Sequence, residues 1–182
     1  DEGYPPVPVS VNVSRADIYH ADIADIMVRT VSKYGLTPSR LHLEITESAY
    51  TEDPGQIIET VSHLRELGFV IEMDDFGSGY SSFSVLTSTE LKTLKIDRSL
   101  FRNYSDPRER VLVRHIVETA KELDLKIVAE GIETREYVDF LKGLGCDYIQ
   151  GFIFYKPMPV GEFEQRFLRD HERAQVAPQR ME

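Results

Sequence analysis

One cysteine in 182 residues, Cys146, rules out an intramolecular disulfide. No run of 18 apolar residues is present to span a bilayer as a helix. Positive charge is scarce too. Lysine and arginine number 21 against 31 acids, and the net charge of −10 argues against unassisted binding to a nucleic-acid polymer. A phosphate ligand stays within reach, because a divalent ion held by the acids would invert the local field. No initiator methionine or signal peptide precedes Asp1-Glu2-Gly3, so the start reads as a cut in a longer chain. The lone thiol reads as a small buried hydrophobe in a reducing compartment. The expectation is a cytoplasmic protein, or the cytoplasmic part of a larger membrane-anchored one.

What the chain does have is carboxylates where hydrophobic strands end: Leu43-Glu44-Ile45-Thr46-Glu47, Met73-Asp74-Asp75-Phe76-Gly77, Lys95-Ile96-Asp97 and Ala129-Glu130-Gly131. Acids are rarely buried unless paired, hydrogen-bonded or bound to a cation, so a set of them at strand ends asks for a cation or a reaction. The strands alternate an apolar series with a polar one, as where Leu41, Leu43 and Ile45 interleave with His42, Glu44 and Thr46. Period two puts each series on its own face.

Along the chain, strands are expected at Val7–Val13, Leu41–Thr46, Phe69–Asp74, Leu91–Asp97, Lys126–Ala129 and Tyr148–Phe154. Helices are expected between them: a stripe from Ile23 to Tyr34 stopped by Gly35, one opened by Asp53-Pro54 and closed by Gly68, then Pro107–Leu123 and Thr134–Leu144. A short helix at most follows the Gly77-Ser78-Gly79-Tyr80 loop, and a last helix carries Phe163, Phe167 and Leu168. Residues 1–168 read as one domain and 169–182 as a polar tail. Strict strand-helix alternation implies a parallel sheet. A doubly wound sheet would be apolar on both faces, whereas these strands have one polar face ending in acids. The expected fold is therefore α/β, a TIM-type (β/α) barrel with six of its eight strand-helix units present.

Six motifs in order carry a resemblance. Val11-Asn12-Val13-Ser14, Leu43-Glu44-Ile45-Thr46-Glu47-Ser48, Asp74-Asp75-Phe76-Gly77-Ser78-Gly79-Tyr80-Ser81-Ser82, Lys95-Ile96-Asp97-Arg98, Ala129-Glu130-Gly131-Ile132-Glu133-Thr134 and Gly145-Cys146-Asp147 through Gln150-Gly151-Phe152 resemble the motif series of the EAL family of bacterial cyclic-di-GMP phosphodiesterases. The match runs from about Val9 to Phe167. It lacks the family's first two strands, with the Glu-Ala-Leu tripeptide that supplies a metal ligand. Glu72 also departs, adding an acid where many relatives have a small residue.

The resemblance implies metal-dependent hydrolysis of cyclic di-GMP to linear pGpG in second-messenger signalling, with Mg²⁺ or Mn²⁺ as cofactor. It implies Asn12, Glu44, Asp74, Asp75 and Asp97 as metal ligands, Glu130 as the base or a shared ligand and Lys95 as the cation orienting water and phosphate. Glu47, Gly77, Ser78, Gly79, Tyr80 and Gln150 would belong to the active-site loop or touch substrate. Plainer readings stand beside these. Asn12 alone could end a strand by hydrogen bonding, Asp74-Asp75 could cap the turn before Gly77, and Lys95 could merely neutralise Asp97. His42 and His63 read as bystanders. The alternative function is a catalytically inactive cyclic-di-GMP binding or regulatory module. Partners would be the dinucleotide, an upstream sensor or diguanylate-cyclase-like domain, and a second copy as a homodimer or through open sheet edges. Without the tripeptide, the piece itself is expected to hydrolyse poorly.

Overall fold

The structure is a computed structural model that describes residues 7–52, 54–79, 84–88 and 91–168. Its centre is six parallel strands: β1 (Val9–Asn12), β2 (Leu41–Thr46), β3 (Val70–Phe76), β4 (Thr93–Ile96), β5 (Lys126–Ala129) and β6 (Tyr148–Ile149). They lie side by side in sequence order. A doubly wound sheet reverses its order at a switch point, and this one does not. Sequential parallel order with helical crossovers is barrel topology, so the expectation of a TIM-type α/β fold holds.

The crossovers form where the sequence supplies caps. α1 (Arg15–Ile18) opens with Ser14 and Asp17 in a reciprocal capping box, and α2 (Ile23–Lys33) follows it. α3 (Glu47–Glu52) and α4 (Pro54–Glu66) lead from β2 to β3, and α5 (Ser84–Ser88) is one short turn of helix after β3. α6 (Pro107–Glu122) has Asp106 as its cap and proline in its first turn, while α7 (Arg135–Leu144) ends on Gly145 at φ 75°. Leu43, Ile45, Ile71, Met73, Leu94, Ile96 and Ile127 on the strands and Ile57, Leu64, Val113, Val117, Val138 and Leu141 on the helices are all fully buried in one core. Each such side chain stabilises by about 1.5–3 kcal/mol.

Some elements differ from the sequence reading. α1 and α3 were not expected, because four and six residues are too short to show a helical stripe. β6 has two residues instead of seven. A Cβ at Gly151 would collide with the Ile132 backbone, so the chain comes too close there to stay extended. Phe154 N–H then donates to Gly151 O at 3.1 Å, which turns the exposed Phe152–Phe154 segment away from the ladder.

Residues 8–154 form one compact unit; Val7 and residues 155–168 belong to a second. In the second, α8 (Val160–Phe163) runs into a π-helical turn at Glu164–Leu168, where the Phe167 ring meets Tyr155 and Phe163. The expected tail, 169–182, lies outside the described residues.

In α3, Tyr50 is 2% exposed and its hydroxyl finds no hydrogen-bond partner among the described residues. Burial pushes that phenol well above its ordinary pKa. An unsatisfied buried hydroxyl costs about 1–3 kcal/mol of desolvation. Tyr50→Phe is therefore expected to leave the chain as stable as before or up to about 1 kcal/mol more stable in urea unfolding. A loss above that would show that the hydroxyl has a partner.

Candidate active site

The polar series of β1 to β4 shares one face, and at its C-terminal end Lys95 gathers the acids. Its Nζ lies 2.6 Å from Glu44 Oε1, 2.9 Å from Asp74 Oδ1 and 2.8 Å from Glu130 Oε1. An ammonium has three protons, and here each has its own carboxylate. The acids come from β2, from β3 and from just past β5, so three separate strands must be in register for the cluster to exist. All four side chains are less than a fifth exposed.

The balance of charge in this cluster is uneven. Burial opposes the Lys95 charge, but hydrogen bonds to Glu130, Glu44 and Asp74 outweigh it and raise its pKa. Lys95 thus stays protonated at neutral pH. Burial raises the Glu130 pKa above its ordinary value, Lys95 lowers it, and Asp74 and Glu44 add to the rise. Asp75, at the end of β3, is raised by burial and by repulsion from Asp74 and Asp97. It also holds φ at 57°, an uncommon conformation for a residue with a side chain. Three carboxylates against one ammonium leave two negative charges in the Lys95 cluster, with Asp75 beside it.

Asn12 ends β1 with its Cα paired to Glu44, which places its polar side chain on the same face. Asp97 makes no salt bridge with Lys95 among the described residues, although it lies near enough to Asp75 to raise that group's pKa. Its Oδ1 accepts from Ser99 N at 2.9 Å and caps the 3₁₀ turn Arg98–Leu100, and Lys95 makes its salt bridges with the other acids. Glu47, 5% exposed, accepts from Gly77 N at 3.2 Å and so ties the start of α3 to the end of β3. Gly77 needs to be glycine: φ is 91° and a Cβ would strike Leu100. Ser78 and Gly79 are exposed, and Tyr80 lies outside the described residues. Gln150 is exposed, and its backbone bonds to Ala129 O at 2.8 Å and to Ile132 N at 3.0 Å, closing the β5–β6 edge.

A network beneath the Lys95 cluster escaped the sequence reading. Glu72, 6% exposed, accepts Ser10 Oγ at 2.9 Å and sits 2.9 Å from His42 Nδ1. His42 is thus the partner of a buried acid, which its spacing from Glu44 on one strand could not reveal. His63 and Glu66 are both exposed and 4.0 Å apart.

The donor set suits a hard divalent cation in its chemistry: all oxygen and net negative. Among the described residues, however, no three His, Cys, Asp or Glu side chains are already grouped as a metal nest. The acids instead converge on Lys95.

Comparison with known proteins bears on this geometry. A family model described as the EAL domain matches residues 1–157. A Pseudomonas aeruginosa protein named cyclic di-GMP phosphodiesterase NbdA is 36% identical over 97% of this chain, which spans 22% of that protein's length. Among solved structures, the PaMucR phosphodiesterase in complex with cyclic di-GMP is similar at a TM-score of 0.80 and 37% identity, over 86% of this chain and 64% of that one. BlrP1 of Klebsiella pneumoniae, solved with manganese and cyclic di-GMP, is similar at a TM-score of 0.76 and 29% identity, over 80% of this chain and 38% of that one. The chain therefore spans about a fifth of the curated relative and under two thirds of either structure.

Proposed function

Because the chain belongs to the EAL domain family, we propose that it carries the phosphodiesterase site of a protein that hydrolyses cyclic di-GMP to linear pGpG with a divalent metal, Mg²⁺ or Mn²⁺. The observation that carries this reading is the Lys95 ammonium bonded to three carboxylates from three strands. Asn12, Glu44, Asp74 and Asp75 would hold the metal, and Asp97 would join them through the oxygen that does not cap Ser99. When bound, such an ion polarises the phosphodiester and acidifies a water. Glu130, with its pKa already raised, can accept that water's proton. Lys95 stays charged and offsets negative charge developing on phosphorus oxygens. Glu47 holds the loop that begins at Gly77 against α3. The proposed setting is the cytoplasm, with an upstream sensor or diguanylate-cyclase-like domain.

A module that binds the dinucleotide without turning it over is the competing reading, favoured by the absence of a ready metal nest among the described residues. Metal binding separates them. Mn²⁺ or Mg²⁺ at 100 times its Kd should stabilise the folded chain by about 2.7 kcal/mol and raise Tm, and Asp74→Ala should abolish the rise. An unchanged Tm in both forms would remove the metal from this site.

β1 and β6 each have one unpaired edge among the described residues. Open edges recruit strands, so the proposal includes homodimerisation or edge pairing of this chain. Sedimentation should show dimers or larger species, and a compact monomer at all concentrations would refute it.

A further inference from the structure

Beside the acids lies a cavity of the opposite character. The 3₁₀ turn after β4 is wedged between two loops at the C-terminal end of the sheet. Leu100 fills the space a side chain at Gly77 would need, and a Cβ at Gly131 would come within 2.5 Å of Arg98 Cβ. A cavity of about 470 Å³ opens there, lined by Ser78, Asp97, Arg98, Ser99 and Arg102. Among the described residues neither guanidinium makes a hydrogen bond or a salt bridge, although Arg98 feels the charge of Asp97. Asp97, kept ionised by hydrogen bonds from Ser99 and the charge of Arg98, sets one negative charge in the lining against the two guanidiniums, which leaves the lining net positive. The Ser99 hydroxyl points to Gly77 O at 3.4 Å.

Two uncommitted guanidiniums are conspicuous in a chain with ten more negative than positive charges. Each presents a planar fork of N–H donors that fits two phosphate oxygens at once. We propose that this cavity is a binding site for a dianionic phosphate, beside the carboxylate centre and sharing only Asp97 with its proposed ligands. A phosphate monoester presents three terminal oxygens and up to two charges near neutral pH, enough to engage both guanidinium forks; a diester has two free oxygens and one charge. Opening a cyclic diester creates a terminal monoester that the substrate lacked. The site would then hold the linear product rather than the substrate, a role that rests on the hydrolytic reading, whereas the anion site itself does not.

The test is calorimetric titration of the 182-residue chain in EDTA at pH 8 and low salt, so that no divalent ion can carry phosphate to the acids. The probes are inorganic phosphate, GMP and, as the diester, cyclic GMP. Phosphate and GMP should bind saturably at one site, with cyclic GMP at least tenfold weaker. Arg98→Gln combined with Arg102→Gln should weaken both by tenfold or more, while Asp74→Asn should leave them unchanged. Arg102→Gln alone, at an exposed position, should weaken binding without moving Tm, which guards against a folding defect in the double variant. Stronger binding of GMP than of phosphate identifies the source as a nucleotide; equal binding identifies free phosphate. No saturable binding, equal binding by the arginine variants, or equal binding of the diester would overturn the proposal. Failure of the hydrolytic reading would appear separately, as absent turnover with metal supplied.

Discussion

Replacing Lys95 by methionine is expected to destabilise the metal-free chain by about 3–5 kcal/mol in urea unfolding at pH 7.5. Methionine keeps the length and fills the space, so the loss comes from charge. Glu44, Asp74 and Glu130 would face one another with no cation among them, in a site where each is less than a fifth exposed. The pH dependence has a definite sign. Carboxylates that repel one another in the folded state have pKa values raised above the unfolded ones, so they destabilise when ionised and cease to do so once protonated. Glu130 is already raised with Lys95 in place. The deficit should therefore shrink as pH falls toward the ordinary glutamate value of 4.5. Adding Glu44→Gln and Asp74→Asn to Lys95→Met should recover much of the loss at pH 7.5. A cost below about 1 kcal/mol, flat with pH, would show that the acids do not depend on the ammonium.

Glu130→Gln in the full-length protein is expected to lower kcat by about 10²–10⁴ while changing KM little. The amide keeps the shape and the hydrogen bond that Lys95 donates, but it has no carboxylate to take a proton. Glu130 suits that task because burial and the neighbouring acids push its pKa toward the range in which a base works best. Steady-state rates of dinucleotide consumption decide it: equal kcat for the two forms would remove Glu130 from the base role.

The sequence made the sheet legible because its signal is local. Leu43 and Ile45 alternate with His42, Glu44 and Thr46, and period two separates the core face from the polar face without any knowledge of neighbours. The polar face also favoured a barrel over an open sheet, and the sequential strand order agrees. Lys95 is the instructive case. Sequence proximity suggested Asp97 as its plain partner, yet residues two apart on a strand stand about 6.6 Å apart, whereas neighbours on adjacent strands lie about 4.8 Å apart. Its partners are residues 51, 21 and 35 positions away in sequence, fixed only by the register of β2 to β5. The Ser10–Glu72–His42 network was hidden for the same reason. β6 was overestimated because Tyr148 to Phe154 is apolar and aromatic but for Gln150 and Gly151, and composition cannot show that Gly151 must press against Ile132. Asp97 carried a motif position, but not the local fact that its side chain caps the following turn.

The most direct measurement is turnover of cyclic di-GMP by the full-length protein with Mn²⁺, followed by chromatographic separation of cyclic and linear dinucleotides. Hydrolysis at the Lys95 centre predicts one linear dinucleotide for each cyclic one consumed, with consumption stopped by EDTA and by Asp74→Asn. An undiminished rate in either EDTA or the Asp74→Asn form, or no consumption by the wild type with metal present, would contradict it.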